Sequence, residues 1–345
     1  MSHQLNHILL TIDVEDWFQV ENFKQCIPFS SWQSYELRVE KNTHRLLDLL
    51  DSESTQQPFK PQTRLPLRGT SGQAKRSSSE AVLQPPAKLR ATFFILGWIA
   101  ERLPHLVREI RSRGHEVASH GYQHNLCNQI PSKDLKRDLS DSKKLLEDII
   151  GDRIYGYRAP SFSVNNSILK IIEDCGYLYD SSFNSFAMHG RYGHLDLSQN
   201  GTRGIALQIS KIQNSDTSQD VSRKSKIQNR KSKILYELPI SNIKLGSSIL
   251  PWGGGGYFRL IPFPVFRLGV QSILRKENAY LFYMHPWEID PEQPKVKEVS
   301  KFFKFRHYIN LNKTASKLSS FIEAFNQCHF ATCHQYLKLV PRTPQ

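Results

Sequence analysis

The sequence predicts an α/β fold built on a parallel sheet, because short apolar runs alternate with longer helical patterns. The run at 8–12 (ILLTI) is typical of a buried parallel strand. Residues 36–50 and 132–150 carry apolar side chains at helix-compatible spacings, which favours amphipathic helices. Strands that alternate with helices in this way indicate βαβ units. A chain of 345 residues is long enough for a single (β/α) barrel with its own core.

The other elements follow in chain order. A second apolar strand is predicted in LRATFFILG, and then a helix over 98–113 that Gly114 ends. A third strand is predicted in HEVASHG, and Ser132 is the predicted N-cap of the helix over 132–150. The chain continues with IYGYRAP, a helix around 165–175, a strand near YLYD, folded segments around LYELPIS and AYLFYM, and a terminal helix over 314–327 with Thr314 as its candidate N-cap.

Two segments are predicted to be insertions in a single domain that spans residues 1–345. Residues 53–88 are rich in Pro, Ser, Gln and Gly without any period, which is typical of a disordered loop. Residues 198–233 contain SKIQN twice and are predicted to form a low-complexity repeat loop. Such surface insertions cost little closure entropy, roughly 0.6 kcal/mol per doubling of length. Residues 290–345 are interpreted as a C-terminal extension of the domain.

The basic charge of the chain belongs mostly to these two insertions. The formal net charge is +14. Residues 53–88 hold six Lys or Arg against two acids, and residues 198–233 hold eight against two, so the two segments carry +4 and +6. Nucleic-acid binding needs basic residues on one face of a folded element. We therefore expect no nucleic-acid partner.

The cysteines and the first residues favour a cytoplasmic protein. No CxxC pair occurs, and an odd, scattered set of cysteines is typical of reduced thiols. The start, MSHQLNHILLTIDVEDW, has no basic region before its short apolar run, so neither a secretory signal nor a transmembrane span is predicted. The five cysteines are Cys26, Cys127, Cys175, Cys328 and Cys333.

Two groups of polar residues suggest a metal site. Asp13, Glu15 and Asp16 follow the first strand, and carboxylates this close raise one another's pKa unless a cation neutralises them. His120 and His124 are four residues apart, and imidazole is the commonest neutral metal ligand. Taken alone, the acids also fit a solvated junction between strand and loop, and the histidines also fit an ordinary surface.

Two further groups supply candidates for orientation and proton transfer. Arg158 precedes Pro160 in YRAPSF, and a guanidinium there has the reach to hold a carboxylate with two hydrogen bonds. His285 follows the apolar run AYLFYM, at the end of a strand where barrels place their active sites. In isolation the first group equally fits a surface loop and the second a structural histidine.

In this order, the four groups resemble the NodB-homology polysaccharide deacetylases, also called carbohydrate esterase family four. The resemblance is closest to the branch associated with bacterial exopolysaccharide and PEP-CTERM loci. It covers nearly the whole chain outside the two insertions and implies a distorted (β/α) barrel of about seven strands. The segments that carry it are TIDVEDWFQVENF, RVEKNTHRLLDLLD, RATFFILGWIAERLPHLVREIRSRGHEVASHGYQH, GYRAPSFSV, YDSS, GGGGYFRL, FYMHPWEIDPEQP and FRHYINL.

The resemblance implies a role for each group. Asp13 would be the general base that activates water, Arg158 would tether Asp13, and His285 would be the general acid. His120 and His124 would bind a divalent metal together with a carboxylate. The family usually has adjacent aspartates where this chain has DVED, so Glu15 and Asp16 both stay open; strand alternation favours Glu15. The residues expected to bind substrate are Pro160, Ser161, Phe162, Asp180, Ser181 and Trp287, with Trp252 and Gly253–Gly256 as weaker candidates for shaping the groove.

The expected function is removal of N-acetyl groups from an N-acetylhexosamine polysaccharide or its precursor, with release of acetate. The expected metal is zinc, although cobalt, nickel or manganese also suits two imidazoles and one carboxylate. An N-acetylated oligosaccharide or polysaccharide is the expected ligand, and an exopolysaccharide synthesis complex is a candidate partner. Two alternatives remain: a metal-independent hydrolase of cyclic amides on the same fold, and an inactive carbohydrate-binding or assembly protein.

Overall fold

A computed structural model describes residues 5–55, 87–186, 192–193, 195, 201–203, 206–209 and 235–339. Its centre is a curled sheet in which seven strands run parallel, in the order β7-β1-β2-β3-β4-β5-β6. This confirms the predicted α/β fold with a parallel, barrel-like sheet. The strands are β1 (His7–Val14), β2 (Thr92–Ile95), β3 (Glu116–Ser119), β4 (Gly156–Tyr157), β5 (Tyr179–Asp180), β6 (Leu235–Glu237) and β7 (Ala279–Met284).

The two ends of the sheet are linked by the segment that follows β6. The backbone N–H of Ser241 donates to the carbonyl of Leu281 at 3.3 Å, and the N–H of Leu281 donates to Ser241 Oγ at 2.9 Å. Further along β7, the N–H of Tyr283 donates to the carbonyl of Gly253 at 2.7 Å. These bonds satisfy the free edge of β7 and curl the sheet into a distorted barrel.

Side chains of β1 alternate between two cores, as the pleat of a strand requires. Ile8, Leu10 and Ile12 pack in the larger core between the sheet and the helices. Leu9 packs in the smaller core inside the barrel. The same alternation directs Thr11 and Asp13 inward, where both accept hydrogen bonds from a buried arginine. The strand therefore delivers a carboxylate to the inside of the barrel at its C-terminal end.

Ten α-helices lie within the described residues, and the longer ones turn apolar stripes towards the larger core. They begin and end as follows: α1 (Val39–Ser52), α2 (Gly97–Arg102), α3 (Pro104–Ser112), α4 (Ser132–Ile150), α5 (Asn166–Asp174), α6 (Gly255–Leu260), α7 (Phe263–Glu277), α8 (Lys301–Tyr308), α9 (Leu311–Ala324) and α10 (Cys333–Leu339). None of them has the length and apolar character needed to cross a lipid bilayer.

Three helix boundaries differ from the prediction. The predicted helix over 98–113 is two helices, because Pro104 disfavours a helical conformation at Leu103, which has φ −124° and ψ 55°. Ser132 is the first helical residue of α4 and makes no side-chain cap. Thr314 lies inside α9, which begins earlier, and its hydroxyl donates to the carbonyl of Asn310 at 3.0 Å. Both predicted N-caps are therefore wrong.

The two predicted insertions are described only in part. In the first, Ser54–Thr55 pairs antiparallel with Ala87–Lys88, and the residues between them lie outside the described chain. In the second, Gly201–Arg203 and Ala206–Ile209 form two antiparallel strands, and the latter pairs with β6. The prediction of an unstructured loop is wrong for these residues, whereas both SKIQN copies lie outside the described chain.

The C-terminal extension is integrated into the barrel. Residues His329–Phe330 form a short strand that pairs with His7 and Ile8 of β1. The next helix, α10, begins beside this strand, and the N–H of His334 donates to the buried carboxylate of Glu116 at 3.0 Å. The extension thus contributes contacts to the start of two central strands.

Candidate active site

The candidate catalytic residues meet where the central parallel strands end. Asp13 lies at the end of β1 and Glu15 directly follows it, His120 follows β3, Arg158 follows β4, and His285 follows β7. In barrels built of parallel strands, the loops after the strands form the active site. All except Arg158 line one cleft, and Arg158 lies directly beneath it.

Glu15, His120 and His124 form a cluster suited to a metal ion. Glu15 Oε1 lies 3.0 Å from His120 Nε2 and 3.2 Å from His124 Nε2, and one potential ligand atom from each residue lies within 4.8 Å of the others. All three side chains are buried. His120 Nδ1 is 2.7 Å from the carbonyl oxygen of Arg158, an interaction that orients the ring with Nε2 towards Glu15.

The electrostatics of this cluster keep Glu15 ionised. Burial would raise the pKa of Glu15, but the charges of His124 and His285 and hydrogen bonds from His120 and His124 hold it well below its usual range. His124 adopts φ +57°, a left-handed backbone conformation that costs free energy for a residue with a side chain. The fold accepts this strain where the imidazole faces the carboxylate.

Asp16, the other open candidate for the carboxylate ligand, lies away from the histidines. Its carboxylate accepts from the backbone N–H of Trp17 at 2.8 Å, of Arg38 at 2.6 Å and of Val39 at 2.8 Å. Burial raises its pKa to about 6 despite these bonds. Asp16 therefore caps a short 3-10 turn and the start of α1, and the structure groups Glu15 with the two histidines instead.

Arg158 holds Asp13 inside the barrel. Its Nη1 donates to Asp13 Oδ1 at 2.6 Å and to Thr11 Oγ1 at 2.8 Å. Its Nε donates to the carbonyl of Ser181 at 2.9 Å, and the guanidinium lies over the ring of Phe94, with Cζ 4.2 Å from the ring centroid. The arginine is completely buried, so these bonds are shielded from water. Arg158 is therefore placed so that it can hold the Asp13 carboxylate in one orientation.

Asp180 and Ser181 lie beneath the cleft and do not line it, contrary to expectation. Both are completely buried. Ser181 Oγ accepts from Arg158 Nη2 at 2.9 Å, while Asp180 accepts from the hydroxyl of Ser182 at 2.7 Å. Ser182 Oγ in turn accepts from the N–H of Ala159 at 2.7 Å. The two residues brace the loop that carries Arg158, because their polar groups are already used within the protein.

His285 faces the two carboxylates of β1 across the cleft. Its Nε2 lies 4.0 Å from Asp13 Oδ2 and 3.8 Å from Glu15 Oε1. Its Nδ1 lies 2.8 Å from Glu288 Oε1. Burial lowers the pKa of His285, but the carboxylates of Glu15, Glu288 and Asp13 outweigh burial and raise it to about 9. Trp287 stacks on the imidazole, with ring centroids 5.1 Å apart.

A buried arginine connects this histidine to the C-terminal extension. Arg259 Nε donates to Glu288 Oε2 at 2.7 Å. The same guanidinium donates to the backbone carbonyls of Arg306, His307 and Ile309 at 3.0, 2.7 and 3.0 Å. Arg259 and the 306–309 segment belong to the motifs GGGGYFRL and FRHYINL, which the sequence analysis singled out without assigning a role to these residues.

The walls of the cleft include some of the expected substrate residues. Ser161, Phe162 and Trp287 line it, and the first two have φ of +49° and +58°, so the YRAPSF loop turns sharply at the cleft. Pro160 and Trp252 are buried and do not line the cleft. Of the glycine run 253–256, only Gly256 lines it. Other lining residues carry no role predicted from the sequence, among them Glu21, Tyr192, Tyr257, Arg306, His307 and Glu288.

Gly255 and its neighbour Gly256 provide a test of how closely the Glu288 carboxylate packs against the backbone. A Cβ added to Gly255 would meet the Glu288 carboxylate, which Arg259 fixes, whereas a Cβ on Gly256 would meet nothing within 4 Å. We expect Gly255→Ala to lower the free energy of unfolding by about 1–3 kcal/mol, the usual cost of overpacking. Gly256→Ala, inside α6, is the matched control and is expected to cause no loss. Denaturant unfolding of both variants measures this, and equal stabilities would contradict the close packing.

Two family models match consecutive parts of the chain. Residues 83–179 match the polysaccharide deacetylase family, and residues 181–338 match a domain of unknown function (DUF3473). His120, His124 and Arg158 lie in the first segment and His285 lies in the second, whereas β1 precedes both.

Curated relatives agree with the first of these matches. A peptidoglycan-N-acetylglucosamine deacetylase of Bacillus cereus is 30% identical over 90 residues, covering 26% of this chain and 42% of that protein. A peptidoglycan deacetylase of Helicobacter pylori is 32% identical over 94 residues, covering 27% of this chain and 32% of that protein. The match therefore spans less than half the length of these relatives.

Solved structures with low sequence identity share the fold. A crystal structure from Mycobacterium smegmatis that bears the polysaccharide deacetylase name superposes with a TM-score of 0.56 at 17% identity, over 100% of this chain and 96% of that one. Puue allantoinase gives a TM-score of 0.52 at 11% identity, over 96% and 89% of the two chains. Residues 83–179 thus match the polysaccharide deacetylase family, curated peptidoglycan deacetylases are similar to part of this chain, and the chain shares the fold of these solved structures.

Proposed function

We propose that this protein is a metal-dependent hydrolase that removes N-acetyl groups from an N-acetylhexosamine polysaccharide or its precursor and releases acetate. One observation carries the proposal: the ligand cluster of Glu15, His120 and His124 lies next to a buried carboxylate, Asp13, and opposite a histidine, His285. Amide hydrolysis needs an activated water, charge stabilisation and a proton for the leaving nitrogen. The cleft holds a group for each requirement.

The donor set of the cluster fits a divalent metal ion. Two imidazole nitrogens and one carboxylate oxygen are a common protein ligand set for catalytic zinc, and three protein ligands leave positions open. Zinc is the proposed ion, and cobalt, nickel or manganese also suits these donors. What such an ion supplies when bound is Lewis-acid polarisation of the acetyl carbonyl and a lower pKa for a coordinated water.

Asp13 is positioned as the general base. Arg158 occupies one carboxylate oxygen, Oδ1, and the other, Oδ2, faces His285 across the cleft. The guanidinium fixes the direction of the carboxylate, so Oδ2 is the oxygen that accepts the proton of the attacking water. A positioned general acid or base typically contributes about 10²–10⁴-fold to the rate.

His285 is positioned as the general acid on the opposite side. Glu288 fixes Nδ1, and Trp287 supports one face of the ring, which leaves Nε2 directed at the cleft. From there Nε2 delivers a proton to the leaving nitrogen, so that a neutral amine departs. Ser161 lines the cleft in a tight turn, and we propose its backbone N–H as the donor to the developing oxyanion, an interaction worth roughly 3–4 kcal/mol per donor.

The proposed substrate follows from the family and from the relatives. Peptidoglycan deacetylases are among the related proteins, which supports an N-acetylated amino-sugar polymer as the chemical class. The resemblance to the exopolysaccharide-associated branch extends the proposal to an exopolysaccharide or a lipid-linked precursor of one, deacetylated in the cytoplasm.

The experiment is acetate release by the purified full chain from N-acetylglucosamine oligosaccharides. We expect release that a chelator abolishes and that added zinc or cobalt restores. Asp13→Asn is the matched control, because it removes the base while leaving the three ligands, so it should bind metal without releasing acetate. Absence of release with any divalent metal would refute the proposal. Hydrolysis of cyclic amides by metal-free protein would instead favour the cyclic-amide hydrolase.

A further inference from the structure

We propose that the exposed side of α8 is a docking surface for an anionic lipid membrane. This α8 face consists of Lys301, Phe302 and Phe305. The inference goes beyond the proposed deacetylase function, because it concerns where the protein acts and not which bond it breaks.

Two aromatic side chains of the α8 face are exposed. Phe302 and Phe305 are 62% and 55% exposed, although phenylalanine is one of the residues most often buried. They lie three residues apart on one helix, so they project to the same side. Lys301 is exposed one turn before Phe305, on the same side of the helix. A single exposed phenylalanine is unremarkable in a folded protein, but a pair on one side of a short helix indicates a contact surface.

The surroundings of the two phenylalanines are strongly basic. Residues 295–306 (KVKEVSKFFKFR) contain five Lys or Arg and one Glu, giving a net charge of +4. This charge lies on α8 and the segment before it, which are described residues, whereas most of the basic residues in the two insertions lie outside the described chain. The partner must therefore be anionic.

The combination of aromatic and basic side chains favours a membrane over a soluble polyanion. Lysines are attracted to anionic headgroups by about 1 kcal/mol each, and aromatic rings insert at the level of the headgroups. A soluble polyanion satisfies the lysines but leaves both rings in water. Only an interface with an apolar interior removes the rings from water and neutralises the charge together.

The α8 face adjoins the proposed catalytic cleft. Arg306 and His307, in the last turn of α8, line the cleft, and Arg259 fixes their backbone carbonyls. A protein docked through Phe302 and Phe305 therefore holds one rim of the cleft close to the headgroups. That position suits a substrate attached to a membrane lipid.

The experiment is cosedimentation of the full chain with sucrose-loaded vesicles, one set of pure phosphatidylcholine and one containing 30% phosphatidylglycerol. We expect binding to the second set only, weakened by added salt. Phe302→Ser/Phe305→Ser should weaken binding at least about tenfold, and Lys301→Gln about fivefold. Phe302→Leu/Phe305→Leu should retain most of the binding. The matched control is Leu268→Ser, which removes a 64% exposed apolar side chain from α7.

Acetate release from a short soluble oligosaccharide serves as the second readout and should be unchanged in the α8 variants. Failure of the deacetylase proposal would appear there, independently of vesicle binding. Equal binding to both vesicle sets, no binding to either, or equal loss in Leu268→Ser would overturn the membrane proposal. Self-association that is lost in Phe302→Ser/Phe305→Ser, without vesicle binding, would overturn it in favour of a protein contact.

Discussion

Glu15→Ala is expected to eliminate bound metal and to reduce acetate release at least about 10³-fold. Glu15 is the carboxylate of the ligand cluster, and its Oε1 lies within 3.2 Å of Nε2 of both histidines. Loss of Lewis-acid assistance removes several kcal/mol of transition-state stabilisation, and each 1.36 kcal/mol is tenfold in rate. Metal content per chain by elemental analysis and acetate release by enzymatic assay measure the two effects.

Asp16→Asn provides the matched control for that experiment. We expect it to bind metal normally, because the Asp16 carboxylate bonds to three backbone N–H groups and not to the histidines. It should instead lower the free energy of unfolding by roughly 1–3 kcal/mol, because an amide satisfies these buried donors poorly. The opposite pattern, with metal lost in Asp16→Asn and kept in Glu15→Ala, would show that Asp16 is the ligand.

Arg158→Met is expected to abolish acetate release and to lower the free energy of unfolding by about 3–5 kcal/mol. The guanidinium and Asp13 are both buried, and removing one partner of a buried ion pair leaves the other charge uncompensated. Arg158 also bonds to Ser181 and Thr11, so its loss leaves further polar atoms without partners. Denaturant unfolding and acetate release measure the two effects.

The double variant Asp13→Asn/Arg158→Met separates stability from catalysis. Neutralising Asp13 removes the uncompensated charge, so the double variant should be more stable than Arg158→Met alone while remaining inactive. This non-additivity is the expected result for residues in direct contact. Strictly additive losses of stability would contradict the ion pair, and a double variant that releases acetate would contradict the assignment of Asp13 as the base.

The sequence predicted the central architecture because it depends on short-range patterns, whereas the shared site of the polar groups was implied by the family resemblance. Alternating apolar runs and helical spacings predict a parallel sheet, and polar residues that follow different parallel strands meet at one edge of it. Asp13 is an example, since strand alternation alone directs it to the same side as Thr11 and Glu15. In the structure Asp13, His120 and His285 meet because they lie at the ends of parallel strands of one sheet.

The sequence could not predict how the loops distribute their polar side chains. Glu15 and Asp16 are adjacent acids with different roles in the structure. Asp16 accepts hydrogen bonds from backbone N–H groups at the start of α1, which lies more than twenty residues later in the chain. Asp180 and Ser181 match a groove position by motif, but they are buried by contacts with the Arg158 loop. Each outcome depends on partners distant in sequence.

Arg259 couples the two sides of the cleft through its hydrogen bonds. Its guanidinium bonds simultaneously to Glu288, which fixes His285, and to carbonyls of the 306–309 segment, which carries one wall. A ligand that displaces this wall must therefore strain the same set of bonds that orients the acid. By thermodynamic reciprocity, the protonation of His285 and the affinity of ligands at that wall are coupled quantities, each shifting the other by the same free energy.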